Sequence, residues 1–223
     1  MFFRTLPLVL LLACILPAQT DDVKRLKEAA AVFTEVMDTP DKAIPQELLE
    51  KAHCAVIIPG MKKGAFIVGA KYGRGFVTCR KAGGVGWSAP GGVRVEGGSV
   101  GFQIGGSETD VVMLVMNERG AERLLSSKFT LGGDASVAAG PVGRSVTAQT
   151  DATMRAEILS WSRSRGVFAG VSLQGATLRQ DDDTNKAMYR DKTTNREIVT
   201  TNVAPPPDAA PLLAALNKYS SRK

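Results

Sequence analysis

Histidine is almost missing from this chain: His53 is the only one in 223 residues. Cysteine is scarce too, at three, and none has a second cysteine at metal-ligand spacing. A zinc or haem centre therefore lacks ligands, and no cofactor is expected. Aromatic residues make up only 6% of the chain. No apolar run approaches the roughly eighteen residues that a membrane-spanning helix needs. A glycine-rich phosphate loop followed by lysine and Ser/Thr is also missing. The most local absence is of negative charge, since no aspartate or glutamate occurs between Lys51 and Val95.

What is present begins with an export-like leader. Arg4 precedes an apolar stretch, Leu6 to Leu16, and a small residue near Ala18 offers a cleavage point before Thr20-Asp21-Asp22. A signal peptide over 1–19 is expected, with an uncleaved anchor as the alternative. Leu11-Leu12-Ala13-Cys14 resembles a lipobox, which would make Cys14 a lipidation site. Export to a periplasmic or secreted, membrane-associated location follows as an expectation. Cys54 and Cys79 remain after the leader. An oxidising compartment permits them to pair, yet both sit in strand-like apolar runs, which favours two buried thiols over a bridge.

From Asp22 to Met37, Val23, Leu26, Ala30, Phe33 and Met37 recur at helical spacing. Lys24, Arg25 and Lys27 crowd the first turns. Such a helix either lies on a membrane with its cations toward headgroups or packs its apolar face on the domain's own core. A second helix is expected from Pro45 to about Ala52, and Asn117 is placed to cap a third through Leu125.

Short apolar and β-branched runs predict strands at Ala55–Ile58, Ala65–Lys71, Phe76–Arg80, Val100–Ile104 and Val111–Val115. Turns are expected at Pro59-Gly60, Gly73-Arg74-Gly75, Gly83-Gly84, Pro90-Gly91-Gly92 and Gly97-Gly98. Further strands are expected at Ser136–Ala139, Ser145–Gln149, Val167–Leu173 and Ala176–Arg179. Asp151 to Ser162 is ambiguous and leans to strand. A short helix is expected after about Asn185, and another at Pro211–Tyr219 beyond the Pro205-Pro206-Pro207 linker. The fold class is α+β: a glycine-rich, mostly antiparallel sheet, barrel- or sandwich-like, with flanking helices that include the amphipathic N-terminal one. The expected organisation is one domain over 22–190 and a C-terminal tail over 191–223.

Net charge is +6. The acid-free segment holds Lys51, Lys62, Lys63, Lys71, Arg74, Arg80, Lys81 and Arg94. A basic field of this kind attracts anions over about 8 Å at physiological salt, and each cation near an anionic bilayer contributes on the order of 1 kcal/mol. Lys24, Arg25, Lys27, Lys62, Lys63, Lys71, Arg74, Arg80 and Lys81 are the candidate lipid-contacting residues. The alternative is a set of solvated strand faces whose countercharges come from elsewhere, such as Asp181-Asp182-Asp183. A nucleic-acid partner is not expected, given the leader and the shortage of stacking aromatics.

Two motifs resemble catalytic or metal sites. Gly97-Gly98-Ser99-Val100-Gly101 fits the nucleophile pattern G-x-S-x-G, but its surroundings are strand-like and His53 precedes the serine. Asp181, Asp183 and Asn185 match the start of a calcium loop, whose glycine and closing glutamate are replaced by Lys186 and Lys192. No catalytic residue and no metal ligand is expected, and the chain is read as a non-enzyme.

Several ordered landmarks carry a family resemblance: Ile44-Pro45-x-x-Leu48-Leu49-x-x-Ala52, Lys63-Gly64-Ala65-Phe66-Ile67-Val68-Gly69, Trp87-Ser88-Ala89-Pro90, Gly101-Phe102-Gln103-Ile104-Gly105, Leu131-Gly132-Gly133-Asp134-Ala135-Ser136 and Ser162-Arg163-Ser164-Arg165-Gly166-Val167-Phe168. Over roughly 22–190 the chain resembles the SYLF domain of cortical actin regulators. The resemblance implies non-enzymatic binding of phosphoinositides or other anionic phospholipids, aided in some members by the N-terminal amphipathic helix. Actin binding is implied only by that resemblance, and an exported protein would not meet its own cell's cytoskeleton. The alternative is a structural or protein-interaction domain of the cell envelope. Trp87-Ser88-x-Pro90 is read as scaffold.

Overall fold

The computed structural model describes residues 21–39, 43–66, 68–100, 105–126, 128–143, 155–164, 167–171, 173–190 and 194–220. The elements begin with α1 (Asp21–Met37) and α2 (Gln46–Lys51), followed by the long strands β1 (Cys54–Phe66), β2 (Val68–Cys79), β3 (Gly91–Val100) and β4 (Gly105–Val115). Helix α3 (Glu118–Leu124) leads to β5 (Lys128–Thr130), β6 (Val137–Ala139), β7 (Ile158–Ser164), β8 (Val167–Gly170) and β9 (Thr177–Gln180). The chain closes with α4 (Asp182–Tyr189), α5 (Asn195–Thr200), a 3₁₀ turn at Pro207–Ala209 and α6 (Ala210–Tyr219).

The strands form one sheet in the order β5-β9-β3-β2-β1-β4-β7-β6, with β8 on the same edge of β7 as β6. Every pairing is antiparallel except β6 with β7. The sheet cannot be flat. Its end strands β5 and β6 are seven steps apart, roughly 34 Å at the usual strand spacing. Only the stretch from Leu131 to Ser136 joins them, and it is folded back by a Gly132 N–H bond to the Ala135 carbonyl at 2.8 Å. The sheet therefore curls into a half-barrel, and the α+β expectation holds.

Alternation along the strands serves two cores. Val56, Ile58 and Met61 of β1 face the inside of the curl with Val77, Val95, Met113 and Phe129, and Leu124 of α3 and Ile198 of α5 join them there. Ala55 and Ile57 face outward with Phe76, Leu114 and Trp161, under α1, α2 and α6. Leu26, Ala29 and Phe33 of α1 and Leu212 and Leu216 of α6 are all buried in this outer core. Of the two readings of the N-terminal helix, packing on the domain's own core is the one observed. Asn117 caps α3 as expected, its Oδ1 accepting from the Gly120 N–H at 2.7 Å.

The expected turns fare unevenly. Gly83-Gly84 lies in the loop after β2. Pro59-Gly60, Gly73-Arg74-Gly75 and Gly97-Gly98 instead lie within strands, and Gly91-Gly92 opens β3. At Pro59-Gly60 the register of β1 shifts against both neighbours, making a bulge; Gly60 takes φ +57° and its N–H donates to Asp110 Oδ1 at 2.9 Å. Opposite the bulge, a Cβ on Gly75 would lie 2.1 Å from the Ile57 carbonyl oxygen. These glycines allow strands to approach closely and do not end them. The expected strand Ala65–Lys71 contains the β1–β2 hairpin, since Phe66 pairs with Val68. The expected strand Val100–Ile104 has Val100 at the end of β3, while residues 101–104 lie outside the described residues, as does Ser145–Gln149. Asp151–Ser162 resolves into strand from Ile158 onward. The short helix expected after Asn185 is present as α5, and a further helix, α4, starts before it at Asp182, where Asp181 caps it.

Cys54 and Cys79 are direct cross-strand partners and form a disulfide, with Cα atoms 3.9 Å apart. Two buried thiols were the expectation; a strand-like setting does bury each cysteine, but the register places one against the other. Replacing both with alanine is expected to lower unfolding stability by about 3 kcal/mol, read by urea denaturation, because the bridge closes a loop with a sequence separation of 25.

Candidate anion-binding site

Strands β3, β2, β1 and β4 run together toward the end of the sheet where the β1–β2 hairpin turns. Near that end, Lys63 of β1 and Lys71 of β2 stand directly opposite each other. Both project from the inner face. Lys63 follows inward-facing Met61 by two residues, and Lys71 precedes by two Gly73, whose Cβ position abuts Ile58 and Met61. Across the sheet this rung reads Gly97–Lys71–Lys63–Ser107, so two lysines are flanked by two small residues and by no carboxylate. Burial, and after it the Lys71 charge, push the Lys63 ammonium below its ordinary value. Like charges directly opposite on paired strands are unfavourable by several tenths of a kcal/mol, and an anion seated between them removes that cost.

The other nominated cations are placed differently. Lys62 projects from the outer face opposite Tyr72 and Glu108. Arg74 is bound into the structure: its Nε donates to Asp181 Oδ2 at 2.5 Å, and its Nη2 donates to Asp181 Oδ1 at 2.9 Å and to Thr184 Oγ1 at 3.0 Å. The Thr184 hydroxyl donates in turn to Asp22 Oδ1 at 2.9 Å, and Arg25 donates to the same oxygen at 2.7 Å. Arg25 and Arg74 thus tie α1 and α4 to β2. Arg80 lies 4.1 Å over the Trp87 ring and donates to the Leu49 carbonyl at 3.0 Å. Trp87 is buried and donates to Ser220 Oγ at 3.0 Å, so this segment is scaffold, as expected. Lys24 pairs loosely with Glu28 at 3.7 Å, and Lys27 is exposed. Lys51, Arg80 and Lys81 sit at the disulfide end of β1 and β2, roughly 25–30 Å along the strands from Lys63. The basic segment does not converge on one face. Countercharge from Asp181 reaches one of its arginines, and the Lys63–Lys71 rung stays clear of acids.

The two catalytic-looking motifs take structural positions. Ser99 pairs with Gly69 inside β3, near the hairpin end, whereas His53 precedes β1 at the far end. Ser99 and Val100 both lie within β3, and the rest of the motif, from residue 101, lies outside the described residues. A cavity of about 350 Å³ lies beside His53, between α3, α5 and the disulfide. Asp181 caps α4, and Asn185 Oδ1 accepts the Gly92 N–H at 2.7 Å, so the calcium-like residues belong to a helix start. Among the described residues no group of three or more His, Cys, Asp or Glu is arranged to hold a metal. Among the described residues no helix is long and apolar enough to cross a membrane.

Sequence reasoning missed Ser107 and Gly97 as the flanks of the lysine rung. Only the strand register identifies them.

Fold and site together define a helix-backed β half-barrel with a cationic rung near one end. A sequence model described as Ysc84, Las17-binding protein actin regulator, matches residues 96–219. An SH3 domain-containing protein of Schizosaccharomyces pombe is 36% identical over 200 residues, covering 86% of this chain and 46% of that protein. The SH3 domain-containing YSC84-like protein 1 of Rattus norvegicus is 32% identical over 204 residues, covering 90% of this chain and 59% of its own. LAS seventeen-binding protein 3 of Saccharomyces cerevisiae is 34% identical over 180 residues, with 79% and 39% covered. The chain belongs to the Ysc84 family of SYLF-domain proteins. It spans about half the length of the curated relatives it matches.

Proposed function

We propose that this domain binds anionic phospholipid surfaces without catalysing a reaction, and that Lys63 and Lys71 receive a phosphate-bearing headgroup between them. The observation that carries this is the lysine pair itself, opposed across two strands and flanked by Gly97 and Ser107. Ser107 is exposed and offers a hydroxyl donor beside the pair. Tyr72, 49% exposed on the opposite face one residue along, offers an amphipathic ring to a bilayer interface. Lys62 reinforces the same end. Lys24 and Lys27 add long-range attraction from α1, whose apolar face is occupied within the fold. Insertion of α1 into a bilayer would first require its release from the core.

Export to an oxidising, membrane-associated compartment is part of this proposal. Support comes from the apolar run after Arg4 and from the Cys54–Cys79 bridge, which persists in such compartments. The mass of the mature N-terminus tests it, and also decides between cleavage near Ala18 and lipidation at Cys14.

The functional test is co-sedimentation with vesicles of phosphatidylglycerol and phosphatidylcholine. Binding is expected to rise with the anionic fraction and to fall with salt. Lys63→Gln with Lys71→Gln is expected to weaken it about tenfold. The same double substitution is expected to raise unfolding stability by a few tenths of a kcal/mol, because it removes a like-charge pair. Equal binding to neutral vesicles would overturn the proposal. A second reading, a protein-interaction domain of the cell envelope, draws on the Las17-binding description of the family. Capture of an envelope protein by a chain that ignores anionic vesicles would favour it.

A further inference from the structure

Away from the lysine rung, the sheet carries a second row of cations that no single stretch of sequence reveals. Arg74 of β2 is opposite Arg94 of β3, Arg94 is opposite Arg179 of β9, and Arg179 is opposite Lys128 of β5. Four basic residues thus share one register on four adjacent strands. All four project from the outer face, since their neighbours Val95, Leu178 and Phe129 point into the inner core. At the usual strand spacing the row is about 15 Å long.

The row is only partly neutralised from within. Asp181 takes Arg74. Glu96 stands between the next two, with Oε1 3.1 Å from Arg94 Nε and Oε2 3.3 Å from Arg179 Nε. Neither contact meets hydrogen-bonding geometry, for both Nε atoms lack a hydrogen-bond partner among the described residues. Arg94 and Arg179 keep 34% and 39% of their side-chain surface exposed, and Lys128 is exposed. Two positive charges remain without a carboxylate. Like charges in a row are unfavourable, so a row retained across four strands calls for an anionic partner.

We propose that Lys128, Arg179 and Arg94 form a docking site for an acidic peptide segment of a partner protein, lying across the strands. Three observations favour a peptide over a bilayer. The row lies on the convex wall of the curl, where a flexible chain can follow cations that a flat surface meets only in part. Guanidinium groups match carboxylates as paired forks, a geometry that Glu96, close to both arginines but hydrogen-bonded to neither Nε, leaves open to a carboxylate from outside. The neighbouring rung places the Thr177 hydroxyl beside the row, where it can bond a polypeptide backbone.

The test is fluorescence anisotropy with a labelled peptide of alternating glutamate and serine about eight residues long, enough to reach across four strands. The wild-type chain is expected to bind it in a salt-dependent manner and to ignore an all-serine peptide. Lys128→Gln with Arg179→Gln is expected to weaken binding about tenfold with an unchanged thermal midpoint. Arg179→Lys is expected to retain an intermediate affinity. Lys63→Gln with Lys71→Gln should leave peptide binding intact, which separates this site from the headgroup site. Equal peptide affinity in the wild type and the Lys128/Arg179 variant would overturn the proposal. So would loss of anionic-vesicle binding in that variant without loss of peptide binding, which would make the wall a membrane face.

Discussion

Arg74→Met is expected to destabilise the fold by about 3 kcal/mol at neutral pH, measured by urea denaturation. Asp181 is almost wholly buried, and removing its guanidinium partner leaves a carboxylate with neither water nor a countercharge. The loss also removes the hydrogen bond from Arg74 to Thr184, whose hydroxyl donates to Asp22 of α1. Burial by itself would raise the Asp181 carboxyl, but the hydrogen bond and charge of Arg74, with help from Thr184, hold it below its ordinary value. A group whose folded value is depressed contributes stability above its unfolded value, and that contribution is lost as pH falls through the folded value. The Arg74→Met deficit is therefore expected to be greatest near neutrality and to shrink as pH falls toward and through about 4, because buried Asp181 without its guanidinium protonates more readily. Asp181→Asn added to Arg74→Met is expected to recover part of the loss, since asparagine still caps α4 and carries no charge. A deficit independent of pH would assign the effect to lost packing.

A larger effect is expected from Gly75→Ala, about 4 kcal/mol or more, or failure to fold. The new methyl would meet the backbone of β1 at Ile57 and Ile58, which the bulge at Pro59-Gly60 brings toward β2. Backbone cannot rotate aside as a side chain can, so either the bulge or the pairing must give way. Gly64→Ala is the control on the neighbouring strand: nothing lies within 4 Å of its Cβ position, and a change within about 0.5 kcal/mol is expected.

These two positions show where the sequence was legible and where it was not. The N-terminal helix could be read because Leu26, Ala30 and Phe33 repeat at its period, and its amphipathic pattern suits a protein core as well as a bilayer. Packing against α6 settles that in favour of the core, and no local pattern announces a partner so far along the chain. The long strands were harder. Glycine marks turns and close approaches alike, and only the neighbouring strand decides which. Gly73 and Gly75 look like punctuation until β1 is placed against them. The cysteines illustrate the same gap: each was recognised as a strand residue, but their pairing depends on register. The charges depend on it most. Lys62, Lys63, Lys71, Arg74 and Arg80 form one basic stretch in sequence. Folding sends Lys63 and Lys71 to the inner face, Lys62 and Arg74 to the outer, and Arg80 to the far end, while Lys128 and Arg179 arrive from elsewhere to stand in line with Arg94.

The separation of these groups explains how a modest positive charge can act locally. On the proposed function, a headgroup between Lys63 and Lys71 would relieve the repulsion of that pair, so part of the binding energy would come from the fold's own like charges. Neutralising the pair is expected to stabilise the chain and to weaken its contact with phosphate, two effects of opposite sign from one substitution.

The most direct measurement is an NMR titration of the Lys63 side-chain ammonium, with and without a short-chain anionic phospholipid. In the lipid-free protein Lys63 should lose its proton at lower pH than an ordinary lysine, and with lipid bound its titration should move upward as phosphate offsets Lys71. A Lys63 titration that does not move at saturating lipid would contradict a headgroup seated at this rung.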